Sequence, residues 1–438
     1  LLTLRALPAL ANASAGEPET MHMKEIVIVG GGIIGLCCAY YLVKAGHEVT
    51  VIDRGDITSG TSFGNAGYVS PSHFIPLASP GIVAKGLRWM MNSSSPFYIK
   101  PRLDMELIRW GIQFYRNANV STVKRNAFHL NNILQLSRQL TSDMKAEMGN
   151  HFRMEEKGCF MLYKSMVTEK FEMQLAKQAL EFKIEAIPMT ASEVQDREPE
   201  VEVNVRGGVL YPIDCHLHPG EFMKTIKSTL QKKGVQFKCN SEVKGFETGG
   251  GKVTGIITGK EKIDCSQLVL ASGSWLPLVC SMLGIRILLQ AGKGYSITYP
   301  EIRRNLHYPA ILVDDRVAMT PMGKDLRMGG TMEIGGINTN IMIKRVEAIY
   351  RASLNYYPNL PVEFPMRDKV WNGLRPLTPD GLPYIGRHSR FKNCILAGGH
   401  AMLGLSLAAG TGKLVEEMIS KTPATIDISA FDVERFGG

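Results

Sequence analysis

Glu25-Ile26-Val27-Ile28-Val29-Gly30-Gly31-Gly32-Ile33-Ile34-Gly35, followed as far as Asp53, is the stretch that decides the fold of this 438-residue chain. Residues 25–29 are a short apolar run rich in β-branched side chains, the composition of a strand buried on both faces. Glycines at 30, 32 and 35 satisfy G-x-G-x-x-G. The first allows a tight turn, the second lets backbone approach a pyrophosphate, and the third lets helix and strand pack closely. Ile33 to Lys44 then has helical patterning, Gly46-His47 closes it, and His47 to Asp53 reads as a second strand. Unpaired N–H groups at the helix start favour phosphate. Asp53, 23 residues after Gly30, can accept from both hydroxyls of an adenosine ribose. The unit is a complete βαβ dinucleotide site, with Gly30, Gly32, Ile33, Ile34, Gly35, Asp53 and Arg54 as its expected contacts.

That unit alone does not choose between NAD and FAD. Two later segments do. Strand patterning at 235–237, 243–247, 253–257 and 267–271 predicts a β-meander that returns to a parallel sheet. It ends at Ala271-Ser272-Gly273-Ser274-Trp275, a small-residue turn suited to a second dinucleotide contact, with Val243 beside it. Near the C-terminus, Ala397-Gly398-Gly399-His400-Ala401-Met402-Leu403-Gly404-Leu405-Ser406 leads from a strand into a helix at Gly404. Such a helix start suits the electron-rich edge of a flavin. A glycine-rich strand–turn–helix at each end of the chain fits FAD, so Gly399, His400, Met402, Leu403, Gly404, Leu405 and Ser406 join the expected contacts.

Composition narrows the remaining classes. With 45% apolar and 21% charged residues the chain is globular, neither disordered nor fibrous. At roughly 150 residues per domain, two or three domains are expected. Fifty Lys and Arg against 41 Asp and Glu leave +9, which suits a polyanionic cofactor, an acidic substrate or an anionic membrane surface. Nucleic acid is not expected, because the basic residues are scattered and lack interleaved aromatics. Eight cysteines without a CxxC pair or framework spacing read as free thiols in a reducing, cytoplasmic compartment. No uncharged apolar run is long enough to span a bilayer. Residues 1–23 read as a leader or cloning segment outside the fold.

Three more blocks carry a family resemblance: Thr61-Ser62-Phe63-Gly64-Asn65-Ala66-Gly67, Lys293-Gly294-Tyr295-Ser296, and Gly373-Leu374-Arg375-Pro376-Leu377-Thr378-Pro379-Asp380-Gly381. With the N-terminal fingerprint, they make the chain resemble the FAD-dependent D-amino acid oxidase superfamily, which includes glycine and sarcosine oxidases. The bacterial D-amino acid dehydrogenases (small subunit) are the group it is most similar to. The resemblance implies an α/β chain, α+β overall. A discontinuous Rossmann-like FAD-binding domain would comprise 24–75, 205–285 and 370–438, and an inserted antiparallel-sheet substrate domain 76–204 and 286–369. It adds Thr61, Ser62, Asn65, Ala66, Gly67 and Gly373 to the FAD contacts. It also implies that Arg375 grips the substrate carboxylate, a role suited to a guanidinium fork. Tyr295 and His73 are the other expected catalytic residues, with Tyr68 and Tyr308 as further lining. Gly373 stands where sarcosine oxidase relatives tether their flavin through cysteine, so non-covalent FAD is expected.

The implied reaction is oxidation of an amino acid, D-configured or of proline/hydroxyproline type, to an imino or 2-oxo acid. Electrons would pass to a quinone-type acceptor of the respiratory chain, with the protein peripheral on the inner face of a bacterial inner membrane. The amphipathic pieces 81–91 and 103–116, with Lys85, Arg88, Trp89, Arg109 and Trp110, suit either a bilayer surface or ordinary surface helices. A glycine/sarcosine-type oxidase releasing hydrogen peroxide and a flavin-carrying subunit of a larger complex remain as alternatives.

Other segments are not expected to carry chemistry. Cys215-His216-Leu217-His218 invites a metal, but Pro219 follows and His218 reads as the cap of a helix; no metal is expected. Ala409-Gly410-Thr411-Gly412-Lys413 fails the phosphate-loop pattern, having Leu407 and Leu414 at required positions. Pro96 to Pro101 reads as a turn.

Overall fold

A computed structural model describes residues 24–79 and 97–437. The expected leader and the 81–91 piece lie outside the described residues.

The opening βαβ unit forms as strand Glu25–Val29, helix Ile33–Lys44 and strand Glu48–Ile52. It nucleates a six-stranded sheet in the order Tyr384–Arg387, Cys394–Gly398, Gln267–Leu270, Glu25–Val29, Glu48–Ile52, Gln236–Lys238. All its pairs are parallel except the first. Alternation along the strands feeds two cores. Ile26, Ile28 and Val269 face the helices, whereas Val27, Leu268 and Leu270 face the meander Val243–Gly249, Lys252–Thr258, Lys262–Asp264. Helix Gly404–Ser420 lies directly on helix Ile33–Lys44: a β-carbon on Gly412 would be 2.6 Å from the Cys37 carbonyl carbon.

The second sheet has nine strands. Its main path runs Val370–Leu377, Gln290–Tyr299, Asp325–Ile334, Val317–Met322, Ala310–Leu312, Cys159–Tyr163, Gly207–Tyr211, Ile187–Thr190. It is mostly antiparallel, and helix Ile343–Tyr356 covers the core beneath it. Two of its strands, Gly207–Tyr211 and Val370–Leu377, fall in segments the sequence attached to the FAD-binding half. Helix Val120–Met148 crosses the other way. A β-carbon on Gly410 would lie 3.1 Å from Ile133 and Ser137, so this helix packs on the FAD-binding half. It begins at Val120, where Asn119 caps it by accepting from the Thr122 N–H.

One local expectation changes. The 96–101 region holds a strand, Phe97–Ile99, paired in parallel with Met332–Ile334. The motif block 373–381 begins inside a strand, Val370–Leu377. It lies at the sheet edge, where Pro376 lacks no needed donor. His218 does cap a helix, its Nδ1 accepting from the Glu221 N–H at 3.2 Å. Among the described residues, no helix is long and apolar enough to cross a membrane.

Candidate active site

One elongated cavity of about 990 Å³ runs between the two sheets and accommodates a ligand of dinucleotide size. At its nucleotide end the Gly31 N–H donates to Asp53 Oδ2 and the Gly55 N–H to Asp53 Oδ1, both at 2.7 Å. These bonds fix the carboxylate at the strand end, and each oxygen keeps a lone pair for a further donor. The Arg54 guanidinium lies over the Trp275 ring at 3.6 Å, forming a flat wall beside Val243 and Ser272. Ser272 Oγ is buried without a partner among the described residues.

In the middle, Gly32 caps the first helix, and a β-carbon there would meet only Ser62 Oγ, at 3.6 Å. Ser62 Oγ itself accepts from the Ile33 N–H at 3.1 Å. Thr61 stitches this loop to the second sheet, its Oγ1 donating to the Leu374 carbonyl at 3.2 Å and accepting from the Leu374 N–H at 3.1 Å. Ser274 Oγ donates to the same carbonyl at 2.9 Å. Asn65 Oδ1 accepts from the Gly67 N–H, and its carbonyl accepts from Arg327. Helix Gly404–Ser420 starts on the opposite wall, where Ser406 Oγ accepts from the Ser70 N–H and donates to the Tyr68 carbonyl.

The expected FAD contacts Gly30, Gly32, Ile33, Ile34, Asp53, Arg54, Thr61, Ser62, Asn65, Ala66, Val243, Ala271, Ser272, Gly273, Trp275, Gly373, His400, Met402, Leu403, Gly404, Leu405 and Ser406 all border the cavity. Gly35, Gly67 and Gly399 stand behind it. Their bare Cα atoms make close packing possible against Gly30, Leu217 and Thr378. His400 is buried with Nε2 2.9 Å from Thr411 Oγ1, and burial pushes its pKa down to about 3.

At the far end, Arg375 borders the cavity with Nη1 donating to the Thr331 carbonyl at 2.8 Å. Among the described residues no carboxylate pairs with it. Burial, and then the Arg345 charge, lower its pKa to about 10, so it stays cationic at neutral pH. Its guanidinium lies across Gly294, a diagonal neighbour on the adjacent strand. Trp371 is held between Gly64 and Gly373, where β-carbons would come within 2.2 Å and 2.0 Å of its ring.

The other two expected catalytic residues sit differently. Tyr295 follows Gly294 in the strand, so its side chain points to the opposite face. There its hydroxyl lies 3.2 Å from Glu333 Oε2, 3.3 Å from the Asn340 carbonyl and 3.2 Å from the Met342 N–H, within the core under the sheet. Tyr295 therefore borders the cavity together with Arg375, while its hydroxyl is held in the core on the other face. His73 borders the cavity, and burial followed by the Arg316 charge lowers its pKa to about 4. Its Nδ1 is 3.2 Å from Ser72 Oγ, which donates to Asp214 Oδ2 at 2.5 Å. With Asp214 ionised, Nδ1 donates to Ser72 and Nε2 is left as an acceptor.

Tyr68 borders the cavity, while Tyr308 packs on Phe160. Arg327 is tied to the Phe63 and Asn65 carbonyls and to Thr298. Sequence reading missed Thr331, Trp371, Met161 and Glu172 on the wall. Only the paired glycines before Thr331 offered a signal.

A cavity that runs from a βαβ turn to a guanidinium with no carboxylate partner among the described residues, between a parallel and an antiparallel sheet, defines a two-domain flavoprotein. A family model described as FAD dependent oxidoreductase (DAO) matches residues 25–418. The chain belongs to this family and uses FAD. A D-amino acid dehydrogenase of Granulibacter bethesdensis is 33% identical over 430 residues, covering 94% of this chain and 100% of the relative. One from Helicobacter pylori is 34% identical over 400 residues, with 90% and 94% coverage. In fold, the chain is similar to glycine oxidase from Geobacillus kaustophilus (TM-score 0.75, 20% identity, 95% and 100% coverage). It is also similar to L-proline dehydrogenase from P. horikoshii (TM-score 0.74, 21% identity, 95% and 98% coverage).

Proposed function

We propose that this FAD-dependent oxidoreductase oxidises the Cα–N bond of a D-amino acid and delivers the electrons to a quinone-type acceptor. The observation that carries the reading is Arg375, a cation facing the cavity that has, among the described residues, one carbonyl partner and no carboxylate. A bidentate substrate carboxylate supplies the missing charge and fixes which way the amino acid lies. FAD, when bound, supplies the acceptor for the hydride leaving Cα. The chain's own part is to grip the carboxylate, to shield the site from water and to receive a neutral amine. His73 is uncharged at neutral pH, so it accepts a hydrogen bond and does not repel an ammonium. The imine product takes up water and releases ammonia and a 2-oxo acid.

Two further parts of the reading rest on particular features. No cysteine among the described residues borders the cavity, which supports non-covalent FAD. Acid precipitation is expected to leave the yellow colour in the supernatant. Peripheral membrane contact has support in helix Met105–Asn117, where Met105, Ile108, Ile112 and Tyr115 form one exposed apolar stripe. Trp110 is not part of that stripe. It is 3% exposed, stacks on Phe114 and donates to the Leu377 carbonyl. Sedimentation with anionic vesicles, lost on Ile108→Glu with Ile112→Glu, tests the contact.

The deciding experiment is anaerobic bleaching of the yellow protein by D- and L-amino acids, glycine, sarcosine, proline and hydroxyproline. It is followed by reoxidation with a soluble quinone or with oxygen. Bleaching by D-amino acids and rapid reoxidation by quinone without peroxide is the expected result. Preferential bleaching by glycine or sarcosine, with peroxide release, would replace this reading by an oxidase.

A further inference from the structure

Thr331 combines four features on one residue of the cavity wall. Its backbone sits at φ +58° inside the strand Asp325–Ile334, in the left-handed region that a β-branched residue enters only under strain. The strain coincides with a β-bulge. Lys293 pairs with Glu333 and Tyr295 with Gly330, so Thr331 and Met332 together oppose the single residue Gly294. The bulge turns the Thr331 carbonyl onto Arg375 Nη1 at 2.8 Å. Finally, Thr331 Oγ1 has no partner among the described residues, on a residue that is 6% exposed and borders the cavity.

Gly294, opposite the bulge, completes the arrangement. A β-carbon on it would fall 2.0 Å from Arg375 Nη1 and 2.4 Å from Cζ, inside the space the guanidinium occupies. The two strands therefore fix the guanidinium together, one with a carbonyl and the other with a bare Cα. The carbonyl takes one of five N–H donors and leaves the rest of the fork for a ligand. A buried hydroxyl without a partner is unfavourable unless a ligand provides one. This one belongs to the residue that already holds the anchor.

We propose that Thr331 is a substrate-binding residue whose hydroxyl hydrogen-bonds the carboxylate gripped by Arg375, and that the Thr331 bulge and Gly294 position the guanidinium for that grip. The inference rests on the reading of Arg375 as carboxylate anchor. Glycine at 331 would relieve the backbone strain. A threonine retained there is accounted for by its side chain, whose partner is the ligand.

The test uses the FAD-loaded protein and benzoate, a carboxylate with no oxidisable amine, titrated by the change in flavin absorbance. Thr331→Val is expected to weaken benzoate about tenfold, the size of a hydrogen bond to a charged group, and Thr331→Ser to restore it. Thr331→Gly is expected to melt at a higher temperature than the wild type while binding benzoate more weakly, a split that a purely structural threonine would not give. Gly294→Ala is expected to retain FAD but lose preference for an amino acid over its amide, through KM rather than kcat. Wild-type benzoate affinity in Thr331→Gly or Thr331→Val, alongside weakened binding in Arg375→Lys, would overturn the role of Thr331 and leave the anchor in place. Unchanged affinity in Arg375→Lys and Arg375→Ala as well would mean that the anchor reading itself is wrong.

Discussion

At the nucleotide end of the cavity, a β-carbon on Gly30 would lie 2.4 Å from the Ala271 carbonyl oxygen, and one on Gly35 would lie 1.8 Å from that of Gly30. At the substrate end, β-carbons on Gly294 and Gly373 would lie 2.0 Å from Arg375 and from Trp371. The distances are alike, but the obstacles differ. Backbone at the first end cannot move without undoing the strand–helix junction. Side chains at the second end can swing away, so the cost there falls on where a functional group points. Glycine guards the path of the chain in one place and the pose of a side chain in the other.

The largest expected effect breaks this comparison within the nucleotide end. Gly35→Val and Gly30→Val are expected to give no soluble folded protein. Gly32→Val is expected to fold with wild-type far-ultraviolet circular dichroism yet purify colourless, because its side chain would enter only open cavity space beside Ser62. Stoichiometric FAD in Gly32→Val would remove this turn from the cofactor site.

At the substrate end the corresponding effect is on activity. Arg375→Ala removes one partner of a desolvated charge pair, which typically costs roughly 3–5 kcal/mol, or about two to three and a half orders of magnitude in kcat/KM. Arg375→Lys should recover part of it, since an ammonium cannot reproduce the fork. Both variants should keep FAD and their melting temperature to within a few degrees. Near-normal kcat/KM in Arg375→Ala would place the anchor elsewhere, with Arg316 at the cavity edge the next residue to replace.

The same contrast explains what the sequence made legible. Residues 25–53 announce their fold because the turn depends on backbone clearance, and backbone clearance leaves a fixed glycine spacing. Arg375 was legible through its motif, but its surroundings were not. Thr331 is brought to it by a bulge, and a bulge adds a residue without a compositional mark beyond the preceding Gly329-Gly330. Tyr295 was legible as a cavity-lining residue, but not the direction of its hydroxyl, which strand alternation turns away from Gly294 toward Glu333 and Asn340. Helix Val120–Met148 was assigned by its position in the chain, although its Ile133 and Ser137 surface meets Gly410 nearly three hundred residues later.

The amine sets a further difference between the two ends. The reacting amine must be neutral, a requirement that falls on the substrate end alone. The rate of flavin reduction is therefore expected to rise toward alkaline pH, while FAD retention stays constant. A flat rate from mildly acidic to alkaline solution would argue against uptake of a neutral amine.

The smallest expected effect concerns the buried network behind His73. Burial raises the pKa of Asp214 to about 7, with the Ser72 O–H and N–H bonds acting in the opposite direction. An unfolded aspartate titrates near ~3.9. Between these values the folded protein holds a proton that the unfolded chain has lost, so stability must fall as pH rises through this window. Asn cannot ionise, and by reversing the Ser72 hydroxyl it can keep hydrogen bonds to both Ser72 atoms. Asp214→Asn should therefore gain stability relative to the wild type from pH 5 to pH 8, read as a melting-temperature difference that grows more positive across the range. His400 and His216, whose lowered pKa values of about 3 and about 4 destabilise the fold on acidification, are common to both proteins and cancel in that difference. A difference that does not change with pH would mean that Asp214 is ionised in the folded state throughout, and that Nδ1 of His73 donates to Ser72 at every pH tested.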